Sequence, residues 1–148
     1  MKCIWTRSSV KVDPKYAAAA YYLWLSQLEM GKLEGAEDSF RRALELDPAN
    51  FSAAFNLGVV HSRRKQPQAA IQAFQRAVEI LPDYAEAHEA LGELYLYLNR
   101  PDDAVRELER AVAITPKMAK AHYHLGRAYA ALGRHEKAQQ EFDRAKSP

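Results

Sequence analysis

The chain has 148 residues, 48% of them apolar and 27% charged, with a formal net charge of +2. That size suits one domain with a sizeable core, and the composition is that of an ordinary soluble chain. The small charge gives no argument for nucleic acid, the single cysteine, Cys3, excludes an internal disulfide, and no apolar run approaches the ~20 residues of a membrane span. Met1-Lys2-Cys3-Ile4-Trp5-Thr6-Arg7 has no long apolar stretch of the kind a signal peptide needs, so a cytoplasmic location is expected.

A fixed beat runs through the chain. Pro14, Pro48, Pro82 and Pro116 lie 34 residues apart, and so do Leu23, Leu57, Leu91 and Leu125. Such a period marks a stacked repeat rather than one closed domain. Taken in chain order, residues 1–16 form a partial preceding repeat or an N-terminal lid, because Ser9 to Pro14 matches the tail of a second helix. The first repeat covers 17–50, and its opening stretch from Ala17 to Leu28 is apolar on nearly every face. Such a helix wants cover on more than one side. Ile4, Trp5, Val10 and Val12 folding back would supply it; a second chain or an absent upstream region would do so equally. Repeats two and three cover 51–84 and 85–118, and the fourth covers 119–148.

Within each repeat, apolar spacings of three and four predict two helices. Position eight is Trp24, Gly58, Gly92 and Gly126; position twenty is Ala36, Ala70, Ala104 and Ala138; position twenty-four is Phe40, Phe74, Leu108 and Phe142. The small residues allow the two helices to approach closely. Gly31, Lys65, Asn99 and Gly133 break each pair in the middle, and Pro67 and Pro101 follow at a first-turn position. The second helix stops before Asp47-Pro48, Leu81-Pro82 and Thr115-Pro116, since proline pushes its predecessor out of helical geometry. In the last repeat, Gln139, Lys146 and Pro148 stand where earlier repeats have apolar residues, which predicts a self-capping final helix.

This pattern of Leu-Gly, Tyr, Ala, Phe and Pro resembles the tetratricopeptide repeat. Trp24 departs from it by replacing the small residue at position eight, and the Trp expected at position four is Ala20, Ala54, His88 and His122. The resemblance implies an all-α fold, a right-handed superhelix of antiparallel helix pairs, with the first helix of each repeat lining a concave face. It implies a non-catalytic module that binds a peptide or helix there. Carried over by position, the groove residues are Tyr21 and Leu25, then Phe55, Asn56, Val59 and Arg63, then Glu86, Glu89, Glu93 and Tyr97, and finally Lys120, Tyr123, His124 and Arg127. The lining should pass from apolar through acidic to basic. Glu86 with Lys120, and Glu93 with Arg127, occupy equivalent positions and could simply pair with each other. The chaperone-tail clamp of Lys, Asn and Arg found in part of the family is missing here, so that partner is not expected. Self-association through the apolar N-terminal helix, or service as an accessory domain of a larger complex, remains the alternative.

Other chemistries find little support. His122 and His124 are two apart on a helix and point to different sides, while His61 and His88 sit at packing positions, so no metal site is expected. No phosphate loop, nucleophile motif or cysteine cluster appears, so neither catalysis nor a cofactor is expected. Arg63-Arg64-Lys65 reads as a helix C-terminus rather than a nucleic-acid patch.

Overall fold

The structure, a computed structural model, describes Leu25 and residues 32–147. Among residues 32–147, seven helices follow in order: α1 (Leu33–Leu46), α2 (Phe51–Arg63), α3 (Pro67–Ile80), α4 (Ala85–Tyr97), α5 (Pro101–Ile114), α6 (Ala119–Ala131) and α7 (His135–Lys146). No strand occurs among the described residues. The fold is all-α, built of antiparallel helix pairs of the α-solenoid class. The chain divides into two units, one ending at Ile80 and the other beginning at Leu81. In the first, α2 packs on α3 and on α1. In the second, α4 packs on α5 and α6 on α7, while α6 also meets α5 and α4. The expected lid, the first helix of repeat one with Trp24 but apart from Leu25, and Pro148 lie outside the described residues.

The turn chemistry is local and repeats three times. Lys65 and Asn99 have φ of 58° and Gly133 has 77°, the left-handed conformation that ends a helix. Each ending closes with two backbone bonds. Lys65 N–H donates to Ser62 O at 3.1 Å and Gln66 N–H to His61 O at 2.8 Å; Asn99, Arg100, Gly133 and Arg134 repeat the arrangement. Asparagine and glycine enter this region readily, whereas an ordinary side chain there costs roughly 1–2 kcal/mol. Pro67 and Pro101 then open α3 and α5, where the missing N–H is harmless. Between repeats, Asn50 caps α2 by accepting from Ala53 N–H at 3.0 Å.

Packing within a pair turns on a single contact. A methyl added to Gly58 would lie 2.6 Å from the Phe74 ring, and one on Gly126 would lie 2.6 Å from Phe142. On Gly92 it would overlap Leu108 Cγ. Position twenty-four therefore sits on the glycine itself. Ala70, Ala104 and Ala138, one turn earlier on the same helices, are buried and keep these pairs close.

Position four holds a second device. His122 Nε2 lies 2.7 Å from the Pro116 carbonyl, and its Nδ1 lies 2.6 Å from Glu141 Oε2. In repeat three, His88 Nε2 lies 2.8 Å from the Pro82 carbonyl, and its Nδ1 is 3.4 Å from Glu107. The His122 ring thus ties the inter-repeat turn to the second helix of its own pair, whereas His88 is bonded to the turn and only faces Glu107. Repeat two has buried Ala54 and Ala73 at these two positions, so the imidazole and the carboxylate come and go together.

Ion pairs and hydrogen bonds join successive repeats. Buried Glu37 on α1 is held by Arg64 and, at 2.7 Å, by Arg41. Tyr129 on α6 donates its hydroxyl to Glu109 on α5 at 2.7 Å. Burial, with the neighbouring Glu109 carboxylate next, pushes that hydroxyl up to about 12.

Two stability outcomes follow from this geometry. Gly92→Ala is expected to cost about 1–3 kcal/mol in urea denaturation, because Leu108 is fully buried and has nowhere to move. Lys65→Gly is expected to raise stability by roughly 0.5–1 kcal/mol, since only the left-handed strain is removed while the backbone bonds remain.

Candidate functional site

The second unit places the first helices of repeats three and four, α4 and α6, side by side. On α4, Glu86, Glu89 and Glu93 follow at helical spacings of three and four, so they project on one side. Lys120 and His124 do the same on α6. Lys120 Nζ lies 3.2 Å from Glu89 Oε1 and 3.4 Å from Glu93 Oε2. His124 Nε2 faces the same two oxygens, at 3.8 and 4.0 Å.

The expected pairing of equivalent positions is therefore displaced by about one to two turns. Lys120 meets Glu89 and Glu93 rather than Glu86, and no ion pair joins Glu93 to Arg127 among the described residues. Neighbouring helices are offset along their axes, and one turn is about 5.4 Å. Equal position in the repeat does not give equal height.

Burial sharpens the cluster. The side chains of Glu89 and His124 are only 5% and 7% exposed, whereas Lys120 is 63% and Glu93 50% exposed. The Lys120 ammonium is close to Glu89 Oε1 but out of line for a hydrogen bond, so this buried oxygen has no hydrogen-bond partner. Burial raises the Glu89 carboxyl above its ordinary range, against the opposing pull of Lys120. Burial lowers the His124 imidazole, with Glu93 working the other way. Burial also works against the Lys120 ammonium, but Glu89 and Glu93 together outweigh it and raise it. The ligand atoms of Glu89, Glu93 and His124 lie within 4.8 Å of one another.

The remaining groove candidates divide by exposure. Tyr97 and Tyr123 are 71% and 49% exposed, and Glu86 and Arg127 are also exposed. The inner side of the Tyr123 ring rests on Phe142, 5.8 Å between centroids. In the first unit, Arg63 is exposed, while Phe55 and Val59 are half-buried and Phe55 packs on Phe74 at 5.4 Å. Asn56 is buried, and its amide donates to Ser52 O at 2.8 Å. Leu25 is helical and half-buried, and Tyr21 lies outside the described residues. His122 and His124 do face different ways, as their spacing indicates. The spacing could not reveal that His124 turns toward two carboxylates of the preceding repeat.

The raised Glu89 carboxyl gives a signed pH dependence. Such a group favours folding below its ordinary range, and that advantage is lost as pH rises through the folded value. Lys120→Met removes the compensating cation, so the variant should match wild type near pH 4 and fall behind as pH rises to 7. Partial exposure of Lys120 keeps the expected gap to about 1–3 kcal/mol, below that of a fully buried pair. Denaturant titrations at both pH values check it; a gap independent of pH would contradict it.

The tetratricopeptide repeat family model matches residues 23–85 and 89–148. A crystal structure of MamA is 28% identical, with a TM-score of 0.83, covering 95% of this chain and 82% of that one. YrrB, described as a tetratricopeptide repeat protein with an unusual peptide-binding site, is 28% identical with a TM-score of 0.75, covering 93% of this chain and 71% of that one. PilF of Pseudomonas aeruginosa shares the fold at 24% identity, with a TM-score of 0.80, covering 87% of this chain and 59% of that one. Comparison with curated proteins gives no significant match. No helix among the described residues is long and apolar enough to cross a membrane. With the repeat matched over most of its length and the paired helices in place, the chain belongs to the tetratricopeptide repeat family.

Proposed function

We propose that the chain is a non-catalytic adaptor that holds a peptide or helical segment of a partner protein on the first helices of its repeats. The observation that carries this reading is the exposure of Tyr97 and Tyr123, on α4 and α6. Tyrosine offers a large contact area at little entropic cost, and exposed aromatics often anchor a partner. Glu86 and Arg127 add charge of both signs to these helices, which suits a polar rim. The peptide-binding site of YrrB, on a related fold, supports the same use. In the first unit, Phe55, Val59 and Arg63 give α2 a half-buried apolar face and a cation of its own.

The reading is tested by selecting peptides from a displayed random library against the purified chain. Tyr123→Ala and Tyr97→Ala should each weaken the selected peptides by at least about tenfold, the scale of an anchoring residue. Helical circular dichroism should be unchanged. Selected peptides that bind both variants as tightly as wild type would place the binding surface elsewhere.

A further inference from the structure

The four side chains between α4 and α6 are arranged as more than an ion pair. Glu89 and Glu93 supply carboxylate oxygens from successive turns of one helix, and His124 supplies Nε2 from the other. Glu89 and His124 are more than nine-tenths buried and aimed at the same point. Oxygen Oε1 of Glu89 is buried and its charge is met by the Lys120 ammonium, 3.2 Å away. The cation that does approach it, Lys120, is tethered from the solvent side and reaches it out of line.

We infer that Glu89, Glu93 and His124 form a binding site for a divalent transition-metal ion of the Zn2+ type, for which the Lys120 ammonium is a built-in competitor. Two distances support this. Nitrogen Nε2 is 3.8 and 4.0 Å from the two carboxylate oxygens. Ligands at about 2.0–2.2 Å from a tetrahedral ion lie about 3.3–3.6 Å apart, so each nitrogen–oxygen pair closes by about half an ångström and the two carboxylates, within 4.8 Å of one another, by up to about one. One imidazole with two carboxylates suits zinc and its neighbours better than calcium or magnesium, which take oxygen alone. Three protein ligands leave a fourth position open. Lys120, mostly exposed, can swing into water when the ion enters, because the ion's two charges replace the single charge of the ammonium beside Glu89 and Glu93. This site does not depend on the peptide reading, since its ligands include two buried side chains that no peptide need touch.

Calorimetric titration of the tag-free chain with Zn2+ at neutral pH tests it, with Co2+ absorption as a report on the ligand set. One equivalent should bind, at least about tenfold more tightly in Lys120→Ala and at least about tenfold more weakly in His124→Ala. Glu93 is half exposed, so Glu93→Gln should fold normally and show the same weakening. Uptake seen in Lys120→Ala alone would overturn it, since the ammonium would then exclude the ion from the protein as it stands. Absence of stoichiometric uptake in Lys120→Ala, or wild-type affinity in both His124→Ala and Glu93→Gln, would overturn the site.

Discussion

Everything in this chain depends on how closely the two helices of a repeat approach. Gly58, Gly92 and Gly126 leave no room for even a methyl group beneath Phe74, Leu108 and Phe142. That contact sets the spacing of each pair. The spacing in turn decides which side of the first helix is spent on packing and which is left over. Interiors are packed to crystal-like density, so a contact this tight has no slack to absorb added volume. Repeating it every 34 residues makes the architecture a consequence of a few small residues, in place of one large core.

Most of the fold was legible because its signals are local. Proline at the helix starts and after the helix ends, glycine and asparagine at the breaks, and the glycine at position eight each act on their immediate surroundings. Lys65 shows the limit of that logic. Its side chain has no preference for φ near 58°, yet the repeat imposes it, and only alignment with Asn99 and Gly133 marks the position. The imidazole pairs were half legible. His88 and His122 could be assigned to packing, but their carboxylate partners lie nineteen residues away on the second helix. The signal was present in the chain: Glu107 and Glu141 appear where repeat two has Ala73, and His88 and His122 appear where it has Ala54.

The site was the least legible part, for a physical reason. Aligning repeats gives each side chain a position along its own helix. It does not give the axial offset between neighbouring helices, and that offset moved Lys120 from Glu86 to Glu89 and Glu93. The same shift brought His124 to the two carboxylates. A repeat thus permits new chemistry without new architecture: the packing face is held fixed while the facing side of α4 and α6 varies. Buried Glu89 and His124 have been added to that side at some cost in desolvation, which stability alone does not explain.

The central claim is that the glycine and the bulky side chain above it act as one unit. A double-mutant cycle on Gly92 and Leu108, followed by urea denaturation, tests it most directly. Leu108→Ala opens a cavity, and Gly92→Ala supplies a methyl group that the cavity can accept. The account predicts that the double variant is more stable than the sum of the single changes by at least about 1 kcal/mol. Simple additivity would show that the pair is not what sets the approach of the helices, and the account would fail at its base.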